Sequence, residues 1–270
     1  MNPINDHILD YFFYAWGIDM NLLRNLIRPY LYARYGFHRM TGTGAFRGDR
    51  VRTVHSPARP HWNPLKQAIW QYHVKQFHDS SCSVASVVSC INAIRSLESN
   101  ETHPISQADI LDRVTTGHWK ERMSDGGYRG RRGLPLPLLG QVVKDSITAY
   151  DLKVRTVDIV QTPKNAPAKS PIRARLKQRL HEFDRHGSGL IIAHFDQGSL
   201  VPTLNIPHIS PVGAYDSASQ RVTMLDVDPE QYKPYQVSFV AFYKGLSCDY
   251  HHVFEAFGYG SGGYVYIQKR

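Results

Sequence analysis

Gln76-Phe-His-Asp-Ser-Ser-Cys82 runs directly into Ser83-Val-Ala-Ser-Val-Val-Ser-Cys-Ile-Asn-Ala-Ile94, and this junction decides the fold. Val84, Val87, Val88 and Ile91 recur with the i, i+3, i+4, i+7 period of a half-buried helix, and Asp79, Ser80 and Ser81 are natural cap residues ahead of it. Cys82 therefore falls in the first helical turn. Unpaired backbone N–H groups and the positive end of the helix dipole meet there, and both stabilise a negatively charged sulfur. A cysteine so placed is set up to act as a nucleophile.

Outward from that junction, composition sets the bounds. The chain has 270 residues, 42% of them hydrophobic, which is enough to bury a sizeable core. Its formal net charge of +9 favours anionic partners such as acidic peptides or a membrane surface. No base-reading motif accompanies the charge, so nucleic acid is not an expected partner. Three cysteines, with Cys82 and Cys90 on one expected helix, cannot make a disulfide framework, which points to a reducing compartment. No basic region followed by an apolar run and cleavage site opens the sequence. Asp10, Asp19, Arg24 and Arg28 break the apolar stretches well short of the roughly 18 to 20 residues that cross a bilayer, so a soluble, cytoplasmic protein is expected.

Residues 8–36 mix Phe12, Trp16, Leu22, Leu26 and Tyr30 with Arg24, Arg28 and Arg34. This pattern reads either as an arm that lies on a membrane or a partner protein, or as a helical pair packed on the core and stopped near Pro29. From Thr41 to Pro64 the chain turns to Gly, Arg, Pro and Ser, which marks a linker and divides a helical extension, 1–62, from a main domain, 63–270. Helices are expected from Ile105 to Val114, capped by Ser106, from Leu134 to Ile147, and from Ile172 to Arg185. Gly117 to Gly133 reads as an exposed, arginine-rich loop at a substrate entrance. Strands are expected at Lys153–Val160, Leu190–Phe195, Ile209–Tyr215, Arg221–Val227 and Tyr264–Gln268, the last three as antiparallel neighbours. A helical half carrying a cysteine, followed by a strand-rich half carrying a histidine, is an α+β layout with a cleft between two lobes.

A thiolate needs a base, a group that orients the base, and donors for the developing oxyanion. His208 opens one expected strand and Asp226 ends the next, so a turn between them brings the two side chains together. Gln76 supplies a side-chain amide close to Cys82. Cys90 and Cys248 read as structural cysteines. Cys248, His251 and His252 lack an established zinc spacing, so no metal site is expected.

The order Gln, Cys, His, Asp at these spacings resembles the papain-like fold and, within it, the phytochelatin synthase family. His208-Ile-Ser-Pro-Val-Gly-Ala-Tyr215, Leu225-Asp-Val-Asp-Pro-Glu-Gln-Tyr-Lys-Pro234 and Gly262-Gly-Tyr-Val-Tyr-Ile267 carry the resemblance, which runs from about Pro64 to the C-terminus. It implies Cys82 as nucleophile, His208 as its partner, Asp226 as orienting acid and Gln76 as oxyanion donor, with Ser83 and Tyr232 against the substrate. It implies a helical lobe carrying the cysteine and an antiparallel β lobe carrying His208 and Asp226. It further implies cleavage of the glutathione Cys-Gly bond through a thioester and transfer of the γ-glutamylcysteinyl group to glutathione or water. No cofactor is required, although a metal-thiolate form of the substrate is compatible with the chemistry. Two departures stand out: Ser83 where the family has glycine, and Pro229 where it carries an arginine that holds a substrate carboxylate. A protease, deamidase or acyltransferase acting on a protein, and a non-catalytic binding module of the same fold, remain the alternatives.

Overall fold

The computed structural model describes residues 20–47, 51–54, 61–98, 103–248, 254 and 257–270. Helix α1 (Met20–Thr41) continues through Pro29 as a single element, rather than the pair that the proline suggests. Pro29 is exposed, and on a solvated face the carbonyl that loses its N–H donor can bond to water instead. Leu31 is buried, but Leu22, Leu26, Tyr30, Tyr32 and Phe37 are each more than half exposed, so α1 does not pack on the core along its length. Residues 8–19 of the expected arm lie outside the described residues.

Strand β1 (Arg52–Thr53) joins the sheet edge from within the stretch that reads as linker. Helix α2 (Pro64–Gln71) starts on Asn63, whose Oδ1 accepts the Lys66 N–H at 2.9 Å, with Pro64 at the first helical position. The Asn63 amide also donates to the carbonyls of Phe183 and Asp184, tying this helix start to the last turn of a later helix.

Helix α3 (Cys82–Glu98) is the central helix. The sequence pattern suggests one wet face, yet every residue from Cys82 to Ile94 is buried. Its polar side chains are satisfied inside instead: Ser86 Oγ donates to the Ile209 carbonyl at 3.0 Å, Ser89 Oγ to the Ala85 carbonyl, and Asn92 pairs with both the N–H and C=O of Ile105. Helix α4 (Gln107–Arg113) begins with a capping box between Ser106 and Asp109. A short α5 (Trp119–Arg122) interrupts the arginine-rich loop, anchored by the fully buried Trp119. Helix α6 (Leu136–Ala149) and strand β2 (Val154–Gln161) follow, then α7 (Pro171–His186). Gly187 ends α7 in the left-handed conformation, φ +62°, where a Cβ would also stand 2.5 Å from Asn63 Oδ1.

Strand β3 (Gly189–Asp196) is buried along its whole length, as its apolar run suggests. It leads to β4 (Pro207–Asp216), β5 (Arg221–Met224), β6 (Tyr235–Ser238), α8 (Phe239–Leu246) and β7 (Gly263–Lys269). Among the described residues the strands form one antiparallel sheet in the order β1-β6-β5-β4-β3-β7-β2. β4 and β5 are neighbours as expected, but β7 is not beside them. It lies between β3 and β2, with Leu190 opposite Ile267 and Ile192 opposite Val265, because its apolar side chains fill both faces there. Helix α8 has no clear sequence signal, since Phe239-Val-Ala-Phe-Tyr reads equally well as a strand. Ser238 caps it through the Ala241 N–H, and Phe242 and Tyr243 are buried while Val240 faces solvent. The result is α+β, with α3 packed against the sheet so that its N-terminal end meets the strands that carry His208 and Asp226.

Candidate active site

The loop ahead of Cys82 is locked by its own side chains. Ser81 does not cap the helix with its hydroxyl, as its position suggests. That hydroxyl turns back, accepting the His78 N–H at 2.9 Å and donating to the His78 carbonyl at 2.8 Å, while the Ser81 carbonyl accepts the Ala85 N–H and opens the helix. Cys82 is 7% exposed, at the foot of α3.

His208 reaches the sulfur from β4, where it pairs with Phe195 of β3 and meets that ring edge-on at 5.5 Å. Its Nε2 lies 2.7 Å from Asp226 Oδ1, which leaves Nδ1 as the ring nitrogen for Cys82, whose side chain interacts with the imidazole. Asp226 is completely buried just past β5. Its Oδ1 also accepts the Asp228 N–H at 3.0 Å and Ser210 Oγ at 3.3 Å, and its Oδ2 accepts the Tyr235 hydroxyl at 2.7 Å. Burial by itself pushes the Asp226 carboxyl up and the His208 imidazole towards its neutral form. Their mutual attraction, with these hydrogen bonds, outweighs burial: it holds Asp226 below the usual carboxylate range and His208 above the usual imidazole range. The pair is therefore imidazolium and carboxylate at neutral pH.

Gln76 is stitched to the same strand end. Its N–H donates to the Val227 carbonyl at 2.8 Å, and next to it Lys75 Nζ donates to the carbonyls of Asp226 at 2.6 Å and Gln231 at 2.7 Å. One lysine thus binds the segment before the nucleophile to the loop after the acid. Gln76 Oε1 is buried with no hydrogen-bond partner among the described residues.

Of the four residues expected to act together, Cys82, His208 and Asp226 converge from three separate stretches, and Gln76, in the same stretch as Cys82, is held at that strand end through its backbone. The two expected substrate contacts do not join them. Ser83 is fully buried, its Oγ accepting Trp119 Nε1–H at 3.0 Å and lying 3.7 Å from Met123 Sδ, because the helix turn that aims Cys82 at β4 aims the next residue at α5. Tyr232 is 76% exposed, with the Lys233 ammonium 5.3 Å from its ring.

The structure adds groups that sequence reading missed. Tyr235, Ser210 and Lys75 hold the acid. Only Ser210 and Tyr235 carried a signal, by lying in or beside the motifs around His208 and Asp226. Near the sulfur, Tyr259 donates from its hydroxyl to the Arg132 carbonyl at 3.1 Å. Burial foremost, and the nearby Cys82, push that phenol up. The Arg132 guanidinium lies 3.5 Å from Ser80 Oγ and 3.4 Å from His78 Nδ1, beside the nucleophile loop. His78 in turn contacts Asp125 at 2.8 Å, so the arginine-rich loop is clasped to the segment that carries Cys82. A groove of about 860 Å³ opens alongside, with Phe77, Leu111 and Met123 in its walls.

An imidazolium between a buried carboxylate and a cysteine at a helix N-terminus is the arrangement of a cysteine nucleophile. The phytochelatin synthase family profile matches residues 55–253. The chain belongs to the phytochelatin synthase family. The match spans Cys82, His208 and Asp226 and leaves α1 outside it. No curated relative matches the chain. Family membership places it among cysteine-dependent acyltransferases, and the α+β architecture fits the papain-like fold of that family. Among the described residues no group of three or more His, Cys, Asp or Glu is disposed to hold a metal ion, and His251 and His252 lie outside the described residues. No helix among the described residues is long and apolar enough to cross a membrane.

Proposed function

We propose that the protein cleaves the Cys-Gly amide of glutathione through a Cys82 thioester and passes the γ-glutamylcysteinyl group to a second glutathione or to water. The observation that carries this reading is the buried His208, with Nε2 on Asp226 and its other side facing Cys82. The sulfur attacks the amide carbonyl, and the oxyanion is stabilised by the first-turn N–H groups of α3 and by the Gln76 amide. As the C–N bond breaks, His208 gives its proton to the departing glycine amine, leaving a neutral imidazole. That imidazole then takes a proton from the incoming amine or water as the acyl group leaves the sulfur.

Pro229 is exposed and offers no charge where the resemblance implies a basic residue. Arg132, at the nucleophile loop, is the replacement supported by position, and a fork of guanidinium N–H groups there suits a substrate carboxylate. A glutathione thiol already bound to a metal ion is an equally acceptable donor, because the scissile bond and both carboxylates are untouched.

The test is to incubate the protein with glutathione, measure free glycine, and trap the intermediate by intact-mass analysis. The reading requires a γ-glutamylcysteinyl adduct confined to the peptide containing Cys82. Cys82→Ala and His208→Ala should each remove at least about a thousandfold of the turnover while the protein stays folded. Unchanged glycine release in either variant refutes the assignment.

A further inference from the structure

We propose that α1 is a membrane-docking helix, which lies in the headgroup layer of a bilayer that carries anionic lipid. Leu22, Leu26, Tyr30, Ala33, Phe37 and Met40 are all exposed, and their spacing stacks them on one side of the helix. At roughly 100° per residue the six fall within about 80° of arc, in a stripe roughly 27 Å long.

Other residues hold the helix to the main body. Leu31 is buried on the far side from the stripe, the Tyr35 ring meets Phe46 edge-on at 5.3 Å, and His38 Nδ1 lies 2.8 Å from Thr43 Oγ1. The stripe therefore faces away from the residues that anchor α1. A contiguous apolar surface of this kind marks an interaction site, whereas single exposed hydrophobic residues do not.

Charge decides the occupant. Between Met20 and Thr41 there are four arginines and no carboxylate. On the helical period Arg34 borders one edge of the stripe and Arg28 and Arg39 the other, and all three are exposed, with Arg34 also attracting Asp196. An apolar face bounded by arginines is the pattern of a helix lying on a bilayer, with the alkyl stems at the acyl boundary and the guanidinium groups at lipid phosphates. A second copy packed stripe to stripe would instead set arginine beside arginine with no acid on α1 to answer it. Tyr11-Phe-Phe-Tyr-Ala-Trp16, just ahead of the helix in sequence, adds the aromatic types that favour the bilayer interface. The helix would rest on the surface without spanning it, since no helix among the described residues is long and apolar enough to cross. It precedes residues 55–253, the stretch matched by the family, so this docking belongs to the chain and not to the shared domain.

Co-sedimentation of the full chain with vesicles tests this directly. Binding to phosphatidylcholine vesicles containing roughly 30% phosphatidylserine is expected to be about tenfold or more tighter than to phosphatidylcholine alone, and to weaken several-fold between about 0.1 M and about 0.5 M salt. Leu26→Ser/Phe37→Ser and, separately, Arg28→Gln/Arg39→Gln should each weaken it about tenfold or more. All four side chains are exposed, and if one pair fails to fold the other still decides. The proposal is overturned by absence of binding up to about 1 mM lipid, by equal binding to the two kinds of vesicle, or by full binding in either double variant. It is also overturned by a dimer in analytical ultracentrifugation that Leu26→Ser/Phe37→Ser dissolves, which would give the stripe to a second copy.

Discussion

His208 Nε2 lies 2.7 Å from Asp226 Oδ1 with both side chains buried, so the base of the candidate site is held as a cation by an acid sealed from water. The fixed nitrogen also sets the tautomer and aim of the ring, which leaves Nδ1 for Cys82.

This pairing makes stability depend on pH in two opposite ways. The folded His208 value is raised above its unfolded 6.5, so its contribution is complete below that value and is lost as pH rises through the alkaline range. The folded Asp226 value is depressed below 3.8, so its contribution is complete above that value and is lost as pH falls further into the acid. Urea unfolding of the wild type should therefore show falling stability between about pH 6 and pH 9, by at least ~1 kcal/mol. In the double variant His208→Asn/Asp226→Asn that alkaline slope should flatten, and an identical slope would count against the charged pair.

Tyr235 holds the oxygen of Asp226 that His208 does not use, at 2.7 Å and away from solvent. Tyr235→Phe leaves that oxygen unsatisfied and should cost about 1–3 kcal/mol in unfolding free energy. The carboxylate, still ionised across the alkaline range, then loses a donor that shares its charge and holds the imidazolium more strongly, so the alkaline limb of the kcat/KM profile should move to higher pH. An unmoved limb with lost stability would reduce Tyr235 to a packing role.

Gly213 explains the small residue in the His208 motif. A Cβ there would stand 2.6 Å from Leu225 Cγ, one residue before Asp226. Gly213→Ala should push Leu225 aside, destabilise by about 1–3 kcal/mol, and lower kcat by displacing the acid. Wild-type kcat in a destabilised variant would show that Asp226 tolerates the shift.

Arg132→Ala should raise KM for glutathione about tenfold or more with a smaller fall in kcat, and Arg132→Lys should restore only part of it, because a point charge does not reproduce the fork. Equal KM in all three proteins would remove Arg132 from the substrate site.

Much of the site was legible because its chemistry is local in sequence. Cys82 announced itself through a helix start, and His208 and Asp226 through strands on either side of a short turn. Ser83 and Tyr232 were misplaced for a different reason: adjacency along the chain says nothing about which way a side chain points. A helix turn sent Ser83 to Trp119, and an exposed loop left Tyr232 in solvent. Tyr259 escaped notice because glycine-rich loops have no periodicity to read, and only folding brings it onto the Arg132 backbone.

The sequence by itself determined the α+β class and singled out Cys82, His208 and Asp226 as candidate nucleophile, base and acid, since period, capping and turn chemistry are encoded within a dozen residues of each group. Tertiary structure alone decided that α3 is wholly buried, that β7 lies between β3 and β2, and that Tyr235 and Lys75 support Asp226. Those outcomes depend on which distant surfaces exclude water together and which buried polar atoms must find partners, and neither condition exists until the chain has closed on itself.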